Sequence, residues 1–123
     1  MTKLDRIKTY ALFAIKAFLS LAFLAAGGAK LYGVAMMVGT FDMIGIGQWF
    51  RHLTGVIEVG AAILLWVPGL RAIGAGALLV TMIGAVIAHL AILGPSAMPA
   101  AVLGLLAGVA LYAHRHEIGR PRA

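Results

Sequence analysis

The chain lacks cysteine altogether, has only four acidic residues and is poor in aromatics, at 8%. Without thiols it can hold no disulfide, thiol nucleophile, thiolate metal site or cysteine-ligated iron–sulfur cluster of its own. Charge is scarce too, at 11% of residues, against about a quarter in a soluble domain. Hydrocarbon is what the chain has in quantity. Hydrophobic residues make up 63%, and the mean hydropathy is +1.02. This is the composition of an integral membrane protein, and 123 residues suit a single membrane domain over residues 1–123.

The net charge of +6 would raise nucleic-acid binding for a soluble protein. Here the basic residues cluster just outside apolar stretches, where they set topology and meet headgroups. The expected partner is therefore the lipid bilayer, with no nucleic acid. No phosphate loop, HExxH, nucleophile elbow or haem-attachment signal is present. His114-Arg115-His116 lacks further ligands, so no metal site is expected. No residue is assigned a catalytic role.

The sequence predicts an all-α protein, a bundle of four transmembrane helices over about residues 10–31, 48–67, 70–93 and 97–114. Residues 1–9 read as a short basic amphipathic lead-in. The first apolar run resembles a secretory signal but is longer than the usual ~7–15-residue core, so it is kept as the first helix. Residues 32–47 contain four glycines and Asp42 in an otherwise apolar segment. Irregular backbone at membrane depth must be covered by protein or water, which predicts a semi-buried apolar loop or a short helix, the helix around Val34–Met37. Pro68-Gly69 ends the second helix, Gly94-Pro95 ends the third, and the tail from His114 to Arg122 is expected to fray.

With four spans, both termini and the turn at Arg71 share one side, which collects seven basic residues: Lys3, Arg6, Lys8, Arg71, Arg115, Arg120 and Arg122. The positive-inside rule puts that side, and both termini, in the cytoplasm. Small residues at Gly104/Gly108 and along Gly74, Ala77, Thr81 and Gly84 suggest close helix packing within the chain.

The polar residues inside these stretches are the candidates for function. Glu58 lies near the middle of the second helix, where an ionised carboxylate needs a partner, a wet cavity or a proton. Lys30 can reach inward to it or outward to headgroups, and the expectation is a buried Lys30–Glu58 pair with His89 nearby. Gln48 and Arg51 lie at the mouth of the same helix, with Arg51 too far along it to touch Glu58. Such a pair can equally fix helix register without any chemistry. Lys16 is expected to snorkel toward headgroups, and Trp49 and Trp66 to anchor the second helix at the two interfaces.

Three segments resemble the DoxX-like family: Ala26-Gly-Gly-Ala-Lys-Leu31, Leu53-Thr-Gly-Val-Ile-Glu-Val-Gly-Ala61 before a Pro-Gly turn, and Met82-Ile-Gly-Ala-Val-Ile-Ala-His89. The resemblance extends over about residues 10–116, with the three segments in the expected order. The resemblance implies a small four-helix membrane protein, mostly bacterial, of a family named for a subunit associated with thiosulfate:quinone oxidoreductase. Lys30, Glu58 and His89 match recurrent polar positions of the family, with no role attached. Two readings stay open. One is a multi-pass inner-membrane subunit or accessory of a redox system, with quinone as the ligand and a soluble redox partner. The other is a non-enzymatic scaffold, assembly factor or small-molecule carrier. Further copies of the chain are a partner under either reading. The missing cysteines argue against a thiol or persulfide relay by this chain.

Overall fold

The structure, a computed structural model, describes residues 2–94 and 96–118. It is all-α: five α-helices and no strand among the described residues. α1 (Lys3–Tyr32) begins earlier than the lead-in reading implies. Thr2 and Asp5 form a reciprocal capping box there, each side chain accepting from the other's backbone N–H at 3.1 Å, which satisfies two donors that a helix start leaves orphaned. α1 ends at Gly33, whose φ of 84° is the left-handed conformation of a helix C-terminus.

The segment after α1 is more regular than a loop with one helical turn. α2 (Ala35–Ile44) fills most of it and stops at Gly45, again left-handed. α3 (Gln48–Leu64) ends in a turn before Pro68 is reached. α4 (Arg71–Ala88) runs into a π-helical turn, His89–Leu93. α5 (Met98–His114) is followed by a 3₁₀ turn, Arg115–Glu117. That turn corrects the expectation of fraying from His114, because Glu117 is buried. Residues 119–122 of the tail lie outside the described residues.

Three helical segments are long and apolar enough to cross a membrane: Lys3–Tyr32, Arg71–Leu93 and Met98–Glu117. α3, with 17 residues, is shorter. α1 packs on α3 and α5, and α4 packs on the same two helices, while α2 leans on α3 and the π turn. Large apolar side chains such as Leu21, Val80 and Leu105 point outward, and much of the interior is alanine. Burial from water cannot drive association in lipid, so close contact between small residues has to.

Glycine sets the closest approaches. A Cβ on Gly27 of α1 would come within 3.0 Å of the Gly55 carbonyl oxygen and 3.1 Å of the Glu58 Cβ. One on Gly74 of α4 would meet the Ala61 carbonyl oxygen at 2.7 Å. Gly84 and Gly108, two of the expected packing residues, face open space instead.

Candidate functional site

One stripe of α1 faces the interior: Lys16, Leu19, Phe23, Gly27 and Lys30, spaced by three or four residues. It starts and ends in a lysine. Fourteen residues separate the two, about 21 Å along a helix, and two heptads keep them on one face. Leu19, Phe23, Leu65 and Leu78 are fully buried. The chain thus has two polar sites, one at the α2 end and one at the end that carries both termini.

At the α2 end, the Gly27–Gly55 approach draws α1 and α3 together one turn from Lys30 and Glu58. Lys30 Nζ lies 2.8 Å from Glu58 Oε1, with the two side chains only 12% and 2% exposed. At that distance the ammonium and the carboxylate are in direct contact. Their attraction is that of two opposite charges in a poorly solvated interior, where screening is weak.

The Lys30 backbone is held as well. The buried Arg51 guanidinium donates to the Lys30 carbonyl oxygen, one of the last carbonyls of α1, which lack partners inside the helix. A cation at that position also opposes the negative end of the helix dipole. Gln48 orients Arg51 by accepting from its Nε at 2.6 Å. The Gln48 amide nitrogen donates to Asp42 Oδ1 at 2.7 Å and to the Val38 carbonyl at 3.0 Å. Asp42, Gln48, Arg51 and Lys30 therefore tie α2, α3 and α1 into one polar chain beside the ion pair.

His89 opens the π turn that packs against α2. Its Nδ1 is buried without a hydrogen-bond partner. Among the described residues, no hydrogen bond or ion pair joins His89 to Lys30 or Glu58. The candidate residues thus fall into an ion pair, a clamp made by Gln48 and Arg51, and a separate imidazole with an idle ring nitrogen.

The site at the other end was not foreseen. Lys16 does not snorkel: it is buried, with Nζ 3.3 Å from His114 Nε2 and 4.8 Å from the centre of the Trp66 ring. Trp66 donates from Nε1 to Ser20 Oγ at 2.6 Å, so it is engaged within the protein and does more than anchor a helix end. With Nε2 accepting from the ammonium, the neutral His114 ring carries its proton on Nδ1, which lies 3.8 Å from Glu117 Oε2. Glu117 accepts from the Arg71 backbone N–H at 3.0 Å and from Arg71 Nε at 2.7 Å. Leu70 offers no side-chain cap to α4, so a carboxylate from 46 residues away supplies it. The two-heptad spacing of Lys16 and Lys30 is the sequence signal that could have identified Lys16 as interior.

Two apolar grooves run along the outside, one of about 710 Å³ between α4 and α5 and one of about 370 Å³ between α1 and α5. Neither is lined by Lys30, Glu58 or His89. No group of three or more His, Asp or Glu residues suited to a metal ion occurs among the described residues.

Neither the curated proteins nor the solved structures provide a match to the chain. A family model does match, that of the DoxX-like family, over residues 14–111. The match takes in Lys16, Lys30, Arg51, Glu58, Arg71 and His89 and stops just short of His114. From that coverage, the chain is a membrane protein belonging to the DoxX-like family.

Proposed function

We propose that this protein is a four-span bundle of the inner (cytoplasmic) membrane with both termini in the cytoplasm. On this reading it serves as a subunit or accessory of a membrane redox system and receives a quinone or similar apolar ligand at the α2 end. α3 completes the four spans at ~17 residues, the lower limit for crossing, and it packs between α1 and α4.

The observation that carries the reading is the Lys30–Glu58 pair, a charged couple in direct contact and buried within a membrane protein. Ionisable groups at membrane depth mark ligand or proton sites more often than they serve as filler. The idle His89 Nδ1, on the π turn that packs against α2, fits a carbonyl-bearing apolar ligand, since an imidazole can donate to a carbonyl oxygen. A bound quinone would supply two-electron, two-proton chemistry. The chain's own part is to hold the ligand, to stabilise negative charge on it through Lys30, and to exchange protons at Glu58 and His89.

One observation favours the non-enzymatic scaffold or carrier. Lys30 is fixed twice, through its side chain and its carbonyl, as a register lock between α1 and α3 would be. Titrating the purified protein with a short-chain quinone by calorimetry separates the two readings. Saturable binding to wild type that is lost in Glu58→Gln supports the ligand site. Absence of binding to both, with Glu58→Gln the less stable of the two, supports the scaffold.

A further inference from the structure

The α1–α5 groove lies at the end carrying both termini, far from the Lys30–Glu58 pair. Its apolar floor is built by Ala11, Leu12 and Ile15 of α1 and Val109 and Ala113 of α5, and Lys8 and Tyr112 stand at its edge. Behind it, the buried Lys16–His114 contact ties α1 to α5 and fixes the distance between the walls. The Tyr112 ring carries the Arg115 guanidinium 3.8 Å above its centre, and Arg115 also donates to the Tyr112 carbonyl at 2.5 Å. Stacking and the hydrogen bond together hold that charge over the groove's edge in one orientation.

Among the described residues these cations have no internal counter-charge. Asp5 is occupied in the capping box of α1 and Glu117 by Arg71. Among the described residues no carboxylate pairs with Lys8 or Arg115. An apolar trough with two unpaired cations at one end matches an acyl chain bearing a phosphate. We infer that this groove seats an anionic phospholipid, its acyl chain along the α1–α5 seam and its phosphate against Lys8 and Arg115. Basic pockets between helices near the cytoplasmic surface bind such headgroups, each cation near the surface contributing about fivefold in affinity. The α4–α5 groove provides an internal contrast. It is larger and shares Tyr112, and with it the neighbouring Arg115, but it has no counterpart of Lys8 in its lining, so it offers a phosphate one cation where the α1–α5 groove offers two.

The test uses the full chain in nanodiscs of mixed phosphatidylglycerol and phosphatidylcholine, with the lipid retained after detergent dilution counted by native mass spectrometry. Wild type is expected to retain phosphatidylglycerol preferentially. Lys8→Gln combined with Arg115→Gln is expected to weaken that retention on the order of thirtyfold. Lys3→Gln combined with Arg6→Gln, at the same end but neither lining the groove nor, like Arg115, stacked on a residue that does, is expected to leave it unchanged. Lys8 and Arg115 are both exposed, so helicity by circular dichroism should match wild type. The single variants, each losing part of the retention, give the same reading if the double variant does not fold. Equal loss in both double variants would overturn the proposal in favour of diffuse surface attraction. Equal retention of the two lipids would reduce the groove to plain acyl packing. Displacement of phosphatidylglycerol by inorganic phosphate alone would make it a free-anion site instead.

Discussion

Lys30→Met removes one partner of a buried ion pair, and the structure makes the consequence asymmetric. Glu58 is ten residues into α3 and its side chain is 2% exposed, so the abandoned carboxylate cannot reach water. Losing the partner of a buried charge costs about 3–5 kcal/mol. Taking up a proton limits the loss, because an ordinary glutamate requires about 4 kcal/mol to protonate at pH 7. The expected destabilisation is therefore about 3–4 kcal/mol. Glu58→Gln leaves Lys30 alone instead. Lys30 lies two residues from the end of α1 and is 12% exposed, so its long stem can carry the ammonium outward. That variant should lose only about 1 kcal/mol, near the value of a single hydrogen-bonding group. The double variant Lys30→Met/Glu58→Met replaces the pair by apolar side chains and should recover most of the loss. Reversible unfolding in mixed detergent micelles, followed by circular dichroism, measures all three. The reasoning fails if Lys30→Met costs less than about 1 kcal/mol, or if Glu58→Gln costs more than Lys30→Met.

Two further expectations concern the scaffold around the site. Gly27→Ala places a methyl against the Gly55 carbonyl, which cannot rotate away, and should destabilise by about 1–3 kcal/mol. Gly60→Ala, on α3 but with nothing within 4 Å of its Cβ, should gain up to about 1 kcal/mol of helix propensity. The same micelle unfolding assay compares them, and similar values for the two would refute the close-approach account. At the other end, Glu117→Ala uncaps α4 and frees Arg71, with an expected loss of about 1.5–3 kcal/mol for the charged hydrogen bonds. Hydrogen exchange at the backbone of residues 71–74 should accelerate, and unchanged protection there would mean that Glu117 is not the cap.

Much of this was readable because the strongest signals are long and redundant. Apolar runs bounded by Pro68-Gly69 and Gly94-Pro95 mark where α3 gives way to α4 and α4 to α5. The family resemblance rests on the glycines that bring α1 and α3 together, although their packing role needed coordinates. Gly27 and Gly55 look like any other glycine in a chain with 16 of them. α2 was read as mostly irregular because Gly39 and Asp42 weaken its helical pattern, yet the Gln48 side chain holds both Val38 and Asp42. Tertiary contacts there outweigh local propensity. Lys16 was misjudged for a related reason. A lone basic residue in an apolar run suggests a side chain reaching for headgroups, and its partner His114 is 98 residues away. Glu117 lies in a basic tail whose composition favours fraying, and only the Arg71 contact across 46 residues orders it.

The central claim is that the buried Lys30–Glu58 pair belongs to a ligand site. Its most direct test is purification in native lipid of wild type and Glu58→Gln, followed by mass spectrometry of every small molecule that accompanies them. The account predicts a quinone or another apolar molecule in stoichiometric amount with wild type and its loss from the variant. Preparations equally empty, or equally loaded, would contradict it and leave the pair as a lock between α1 and α3.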